Sequence, residues 1–117
     1  MGWTSWRKIA EGRTWFSEGL DHDGPACYEI AVAGPHGGDL RLVYVGETSN
    51  ERKRIASYAA HGSHLSKIID YHLRQGWSLW YRAQAMPSKS AAVAMQNRML
   101  GHFDYDWNIQ LNASSKR

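Results

Sequence analysis

The period of the hydrophobic pattern changes several times along the chain, and each change marks an element. Residues 27–34, CYEIAVAG, alternate so that Tyr28, Ile30 and Val32 share one face, the period of a strand. GPHGGD follows as a glycine-rich connection. LRLVYV, residues 40–45, reads as a second strand ending at Gly46, and two strands joined this way predict an antiparallel hairpin. Thr48 and Glu51 fit a capping box, which predicts a helix from near Ser49 to about Ala60. Ser63 can cap a second helix with an apolar stripe of Leu65, Ile68, Ile69 and Leu73, stopped by Gly76. WSLWYRAQA alternates again, placing Trp77, Leu79, Tyr81 and Ala83 together as a third strand. Pro87 and Ser88 then open a last helix through about Phe103. The expected fold is α+β: a small, three-stranded antiparallel sheet flanked by helices. The segment up to Pro25 shows no clear period, and DHDGP reads as the turn that closes it.

A length of 117 residues suits a single core, and 43% apolar with 21% charged residues is ordinary for a globular chain. No apolar run is long enough for a membrane span, and the N-terminal residues lack the apolar core of a signal peptide. The default expectation is a cytoplasmic protein. Cys27 is the single cysteine, which excludes an internal disulfide; its apolar surroundings make it a small buried hydrophobe. The net charge of +3 permits a polyanionic partner without demanding one. The densest cationic cluster is Arg52, Lys53 and Arg54. Trp3, Trp6 and Trp15 lie beside Arg7, Lys8 and Arg13, a mixture that suits either a nucleic-acid surface or a segment pinned to the core by its indoles.

Arg54 and Tyr58 are four apart and project from one helix face, while Tyr28 and Tyr44 belong to the hairpin. An arginine, three phenols and the anion-attracting amides of a helix start would suit a phosphate. Each residue also has an ordinary explanation as a packed strand tyrosine or a solvated arginine. Gln96 sits within the inward stripe of the last helix, among Ala92, Val93, Met99 and Leu100. Burying an amide there costs about 1–3 kcal/mol unless it is partnered, so it is either a satisfied core glutamine or a polar group delivered to a site. His61 and His64 lie between the first two helices, with no spacing that indicates zinc.

With these residues in place, the chain resembles the GIY-YIG nuclease domain found in excision-repair nucleases, phage homing endonucleases and some restriction enzymes. Ala26-Cys27-Tyr28 stands at the first signature tripeptide, keeping its tyrosine, and Tyr44-Val45-Gly46 matches the second. The family's catalytic arginine falls on Arg54 and the following tyrosine on Tyr58. Asn108 stands at a characteristic asparagine, and counting back places the metal-binding glutamate at Gln96. The resemblance covers roughly residues 26–108. It leaves residues 1–25 as an N-terminal extension in which to look for DNA contacts and 109–117 as a tail.

The resemblance implies a DNA endonuclease, restriction-like or structure-specific, that hydrolyses phosphodiesters with Mg²⁺ or Mn²⁺. Tyr28 would be the candidate base, with nearby groups either favouring its phenolate or passing its proton onward. Tyr44 would bond the water or phosphate, Arg54 would hold the scissile phosphate, and Tyr58 would orient phosphate or base. Gly46, Arg52, Lys53, His61 and Asn108 would lie along the DNA, expected to be double-stranded; cutting both strands favours a homodimer or two sequential nicks, and no membrane is expected to be involved. Gln96 has the shape of glutamate without its charge, and Mg²⁺ prefers anionic oxygens. That fits an engineered Glu→Gln change that traps uncut DNA, or a natural member that is inactive or differently metallated. The alternative function is a nucleic-acid-binding module that has kept the fold and lost catalysis.

Overall fold

The alternating segment around Tyr28 becomes the centre of the sheet. In the computed structural model, which describes residues 2–16, 22–60 and 64–111, this strand is β3, Ala26–Gly34, and it is buried along nearly its whole length. It pairs antiparallel on one side with β4, Gly37–Thr48, and on the other with β5, Ser78–Ala85. The glycine-rich connection is drawn into the hairpin, leaving only Pro35 and His36 as the turn between Gly34 and Gly37. A bulge pairs Ile30 with Tyr44 and Ala31 with Leu42, so that Val43 is the extra residue and joins Tyr44 in the same core.

The sheet has five strands among the described residues, two more than the hydrophobic pattern predicts, in the order β2-β1-β5-β3-β4. The additional strands are β1, Arg7–Glu11, and β2, Thr14–Trp15. Opposite β5, Lys8 pairs with Trp80 and Ala10 with Leu79, which leaves Ile9 as a bulged residue. That bulge puts two apolar residues side by side and erases the alternation by which the strand could be read. The indoles of this segment pack inward: Trp15 against the main core and Trp3 against the second cluster.

Helices cover both faces. On the Tyr28 face, Ile55 and Tyr58 of α1, Glu51–Ala59, and Ile69 and Leu73 of α2, Ser66–Leu73, join Leu65, Ile30, Val32, Leu79 and Tyr81. On the opposite face, Met95, Met99 and Leu100 of α3, Lys89–Leu100, pack on Cys27, Val45 and Tyr105. Ser88 caps α3 by accepting from the Ala91 N–H, and the helix ends at Leu100 rather than Phe103. A further short helix, α4, Asp106–Leu111, follows. The helix expected after Ser63 begins at Ser66; Ser63 itself lies outside the described residues. Gly76 closes it with φ +87, a left-handed conformation that costs glycine nothing. Among the described residues no helix is long and apolar enough to cross a membrane.

Full burial of β3 requires that its polar side chains be partnered. Glu29 is 2% exposed. Both Nε and Nη2 of Arg82 donate to its Oε1 at 2.7 Å, and the Tyr105 hydroxyl donates to its Oε2 at 2.6 Å. The Arg82 guanidinium in turn lies 4.9 Å from the ring centroids of both Trp3 and Trp6. One charge network thus joins the N-terminal segment, β3, β5 and the chain after α3. Burial first, and the negative charges of Glu29 and Glu47 after it, push the Cys27 thiol up to about 12, so it is protonated and inert at neutral pH. Arg82→Met would strand the Glu29 carboxylate and is expected to cost about 3 kcal/mol. Adding Glu29→Gln should recover part of that loss; urea denaturation of the single and double variants checks both.

Candidate active site

The approach of α1 to the sheet is set by the turn after Gly46. Thr48 Oγ1 accepts from the Asn50 N–H, and Asn50, not Thr48, is the N-cap: its Oδ1 accepts from the Lys53 N–H at 3.0 Å. The predicted capping box is therefore not formed. Glu51 does not reach back along the helix but turns into the core, where the Tyr81 hydroxyl donates to its Oε2 at 3.2 Å. The amides of the first turn are also spoken for. Glu51 N–H donates to Gly24 O, Arg52 N–H to His22 O, and Arg54 N–H to Asn50 O. With Lys53 that accounts for the first four donors, so this helix start presents no open amide to an anion. Any phosphate here must be held by side chains.

Three phenols converge on one sheet face. The hydroxyls of Tyr28 and Tyr58 share a hydrogen bond at 2.7 Å, and the Tyr28 ring lies 6.2 Å from that of Tyr44. Gly46, directly across the hairpin from Tyr28, makes this possible. A Cβ there would stand 2.6 Å from Tyr28 Cζ and Oη and 2.9 Å from Tyr44 Cε2, so any larger residue displaces both rings. The glycine of the second signature thus provides room for the tyrosine of the first. His64, just before α2, reaches the group with Nε2 3.4 Å from the Tyr44 hydroxyl.

Burial dominates the electrostatics. It raises the Tyr28 pKa well above the ordinary tyrosine value, reinforced by the neighbouring phenols and the hydrogen bond to Tyr58, with Arg54 opposing. For Tyr28, desolvation outweighs Arg54, which disfavours the first of the two routes expected for it, a phenolate favoured by nearby cations. Tyr44 is also raised by burial, but there Arg54 heads the opposing influences, followed by a hydrogen bond with Tyr28. His64 is lowered, by burial and then by Arg54, and is neutral at pH 7. A neutral imidazole beside a phenol can accept its proton.

The three adjacent cations separate clearly. Arg52 is drawn to Asp23 at 3.1 Å. Arg54 forms no ion pair among the described residues and acts electrostatically on Tyr28, Tyr44 and His64. With Lys53 it borders a shallow depression of about 270 Å³ whose other walls are Thr48, Ser49, Asn50 and Ser57.

The remaining expected residues are placed differently. Asn108 is buried on the edge strand: its Oδ1 accepts from the Val45 N–H at 2.9 Å and its Nδ2 donates to the Val45 carbonyl at 3.0 Å. It completes the open edge of β4 next to Tyr44. His61 lies outside the described residues. Gln96 is half-buried on α3, the helix that covers the Cys27 face, and makes no side-chain hydrogen bond among the described residues. Among those residues no three His, Cys, Asp or Glu side chains cluster where a metal could be held. Glu47, the acid beside Gly46, is engaged by Lys89 at 2.8 Å. A single neutral amide at Gln96 does not fit a resident Mg²⁺, which takes carboxylate oxygens. His64 was passed over in the sequence because nothing in its spacing separates it from a solvated loop histidine; only α2's seat on the sheet brings it to Tyr44.

No curated protein and no solved structure matches the chain significantly. A family model described as GIY-YIG domain-containing protein matches residues 20–117, spanning the hairpin, the arginine helix, α3 and Asn108. With its tyrosines, Gly46 and Arg54 assembled on one sheet face, the chain belongs to the GIY-YIG domain family, whose members are endonucleases.

Proposed function

We propose that this chain binds DNA through the Arg54 depression and carries the framework of a phosphodiester hydrolase, in which Gln96 replaces the metal-binding glutamate that the family pattern expects on α3. The observation that carries this reading is Arg54: a cation without an ion pair among the described residues, set against three linked phenols. Its guanidinium fork would grip two oxygens of the scissile phosphate and offset the charge of the transition state. Lys53, on the same depression, adds a backbone contact. Arg52, already engaged by Asp23, stands further out along the DNA.

Tyr44 is better suited than Tyr28 to take up the proton of an attacking water. As the water oxygen bonds to phosphorus, its proton passes to the Tyr44 oxygen while the Tyr44 proton passes to His64 Nε2; the bond to the leaving oxygen breaks with its electron pair, and the departing alkoxide takes a proton from solvent. Tyr28, kept protonated by burial, fixes the geometry of the group through its hydrogen bond with Tyr58. Gly46 and Asn108 act on the site by shaping it: one admits the Tyr28 ring and the other holds the strand that carries Tyr44.

The family's nucleases are generally dependent on a divalent metal. Because the amide of Gln96 is a poor ligand for Mg²⁺ or Mn²⁺, no step is routed through a metal in this chain. The same observation favours a second reading, a nucleic-acid-binding member of the family without catalysis. Cleavage assays separate the two. Gln96→Glu should raise Mg²⁺-dependent cleavage strongly, by about 10²-fold or more if the metal's contribution is restored. A Gln96→Glu chain that binds DNA but never cuts it with any of several divalent metals would establish the binding module instead.

Arg54→Ala should weaken DNA binding and flatten its dependence on salt, by about one unit of the log–log slope, as read by anisotropy across a salt series. In the Gln96→Glu background, His64→Gln should slow cleavage. Because His64 is depressed, its protonation should cut the rate only below the ordinary histidine value of 6.5, and the substitution should remove that acid limb from the pH–rate profile.

A further inference from the structure

A second concave surface lies on the same side of the sheet as the tyrosines, at the far end of α2. It is a groove of about 620 Å³, within the range of clefts that hold a small ligand. Its walls are Arg41, Lys67, Tyr71, His72, Asp106 and Trp107. Tyr71 is 60% exposed. The ring meets His72 edge-on at 5.5 Å, and His72 is held from behind by Trp77 at 5.2 Å and Trp107 at 5.3 Å. A hydrogen bond between His72 Nδ1 and the Ile68 carbonyl at 2.8 Å fixes that imidazole further. His72 is thus fixed behind Tyr71, whose own ring stands open to solvent.

The polar groups are arranged around it. Arg41 pairs with Asp106 while both remain substantially exposed, leaving donors and acceptors free toward the groove. Lys67 is exposed on the rim. A ring to stack upon, a donor–acceptor pair and a cation form the chemistry that recognises a nucleotide. A base paired within a continuous duplex cannot enter a groove of this depth; an unpaired one can.

Resting on the DNA-binding reading of the Arg54 site, the geometry points to this groove as a subsite for one unstacked nucleotide of the bound strand. Its base would lie on Tyr71, its edge would face Arg41 and Asp106, and its phosphate would meet Lys67. From Ser66 to Tyr71, five residues of α2 advance roughly 7.5 Å, about two nucleotide steps of a DNA strand. The chain thereby prefers DNA with an unpaired nucleotide a few steps from the phosphate at Arg54, a structural rather than a sequence preference.

Anisotropy with two labelled probes tests this: a blunt duplex, and the same duplex carrying one unpaired thymidine. The full chain should bind the second about ten-fold more tightly, the scale of one base stacked on an aromatic ring. Tyr71→Ala should abolish that preference without changing duplex affinity, whereas Tyr71→Phe should keep it. Arg54→Ala should weaken both probes alike. Equal affinity of the unsubstituted chain for the two probes, or the same loss on both with Tyr71→Ala, would overturn the subsite while leaving the Arg54 site standing. Failure to bind either probe would overturn both.

Discussion

The structure depends on the burial of one strand. β3 is hydrogen-bonded along both edges and covered on both faces, so each polar group it carries has lost water and must find a partner within the protein. Tyr28 meets this demand through Tyr58 on one face, and Glu29 meets it through Arg82 and Tyr105 on the other. One network builds the candidate site and the other ties the N-terminal segment and the end of the chain to the sheet. Adjacent residues of one strand thus serve function and stability separately, because successive side chains point to opposite faces.

The same burial decides the chemistry of the phenols. A tyrosine with almost no access to water keeps its proton, whatever a neighbouring arginine contributes, unless the charge lies very close. Tyr44 stands nearer the rim and beside a neutral histidine, which is why the proposed proton route runs through it. Asn50 and the carbonyls of His22 and Gly24 consume the first amides of α1, so the proposed phosphate contacts fall to side chains such as Arg54.

Sequence pattern conveyed the parts of the fold governed by local period. The hairpin, the third strand, α2 and α3 follow from alternation, an apolar stripe and the Ser88 cap, whereas α1 is expected at the right place from a Thr48–Glu51 box that does not form. It failed where tertiary structure overrides a period. β1 and β2 were illegible because a bulge at Ile9 breaks the alternation, and β1 is held through its backbone pairing with β5. The apparent Thr48–Glu51 capping box is not formed: Asn50 takes the N-cap, and the Glu51 carboxylate is turned into the core, where it meets the Tyr81 hydroxyl. Of the candidate site, Tyr28, Tyr44, Arg54 and Tyr58 could be named from spacing and family pattern. His64 could not, since its contact crosses from the segment before α2 to the hairpin.

By itself the amino-acid order determined which residue types are available and in what succession: a tyrosine on each hairpin strand, a glycine after the second, an arginine and a tyrosine one helical turn apart, and an amide at position 96. Those follow from periodicity and covalent order alone. Only the tertiary structure decided that Gly46 makes room for Tyr28, that Arg54 rather than Arg52 is left without an acid among the described residues, and that Asn108 closes a strand edge. Each of these depends on distances across the sheet between residues far apart in the chain, and on how much water the fold removes from them.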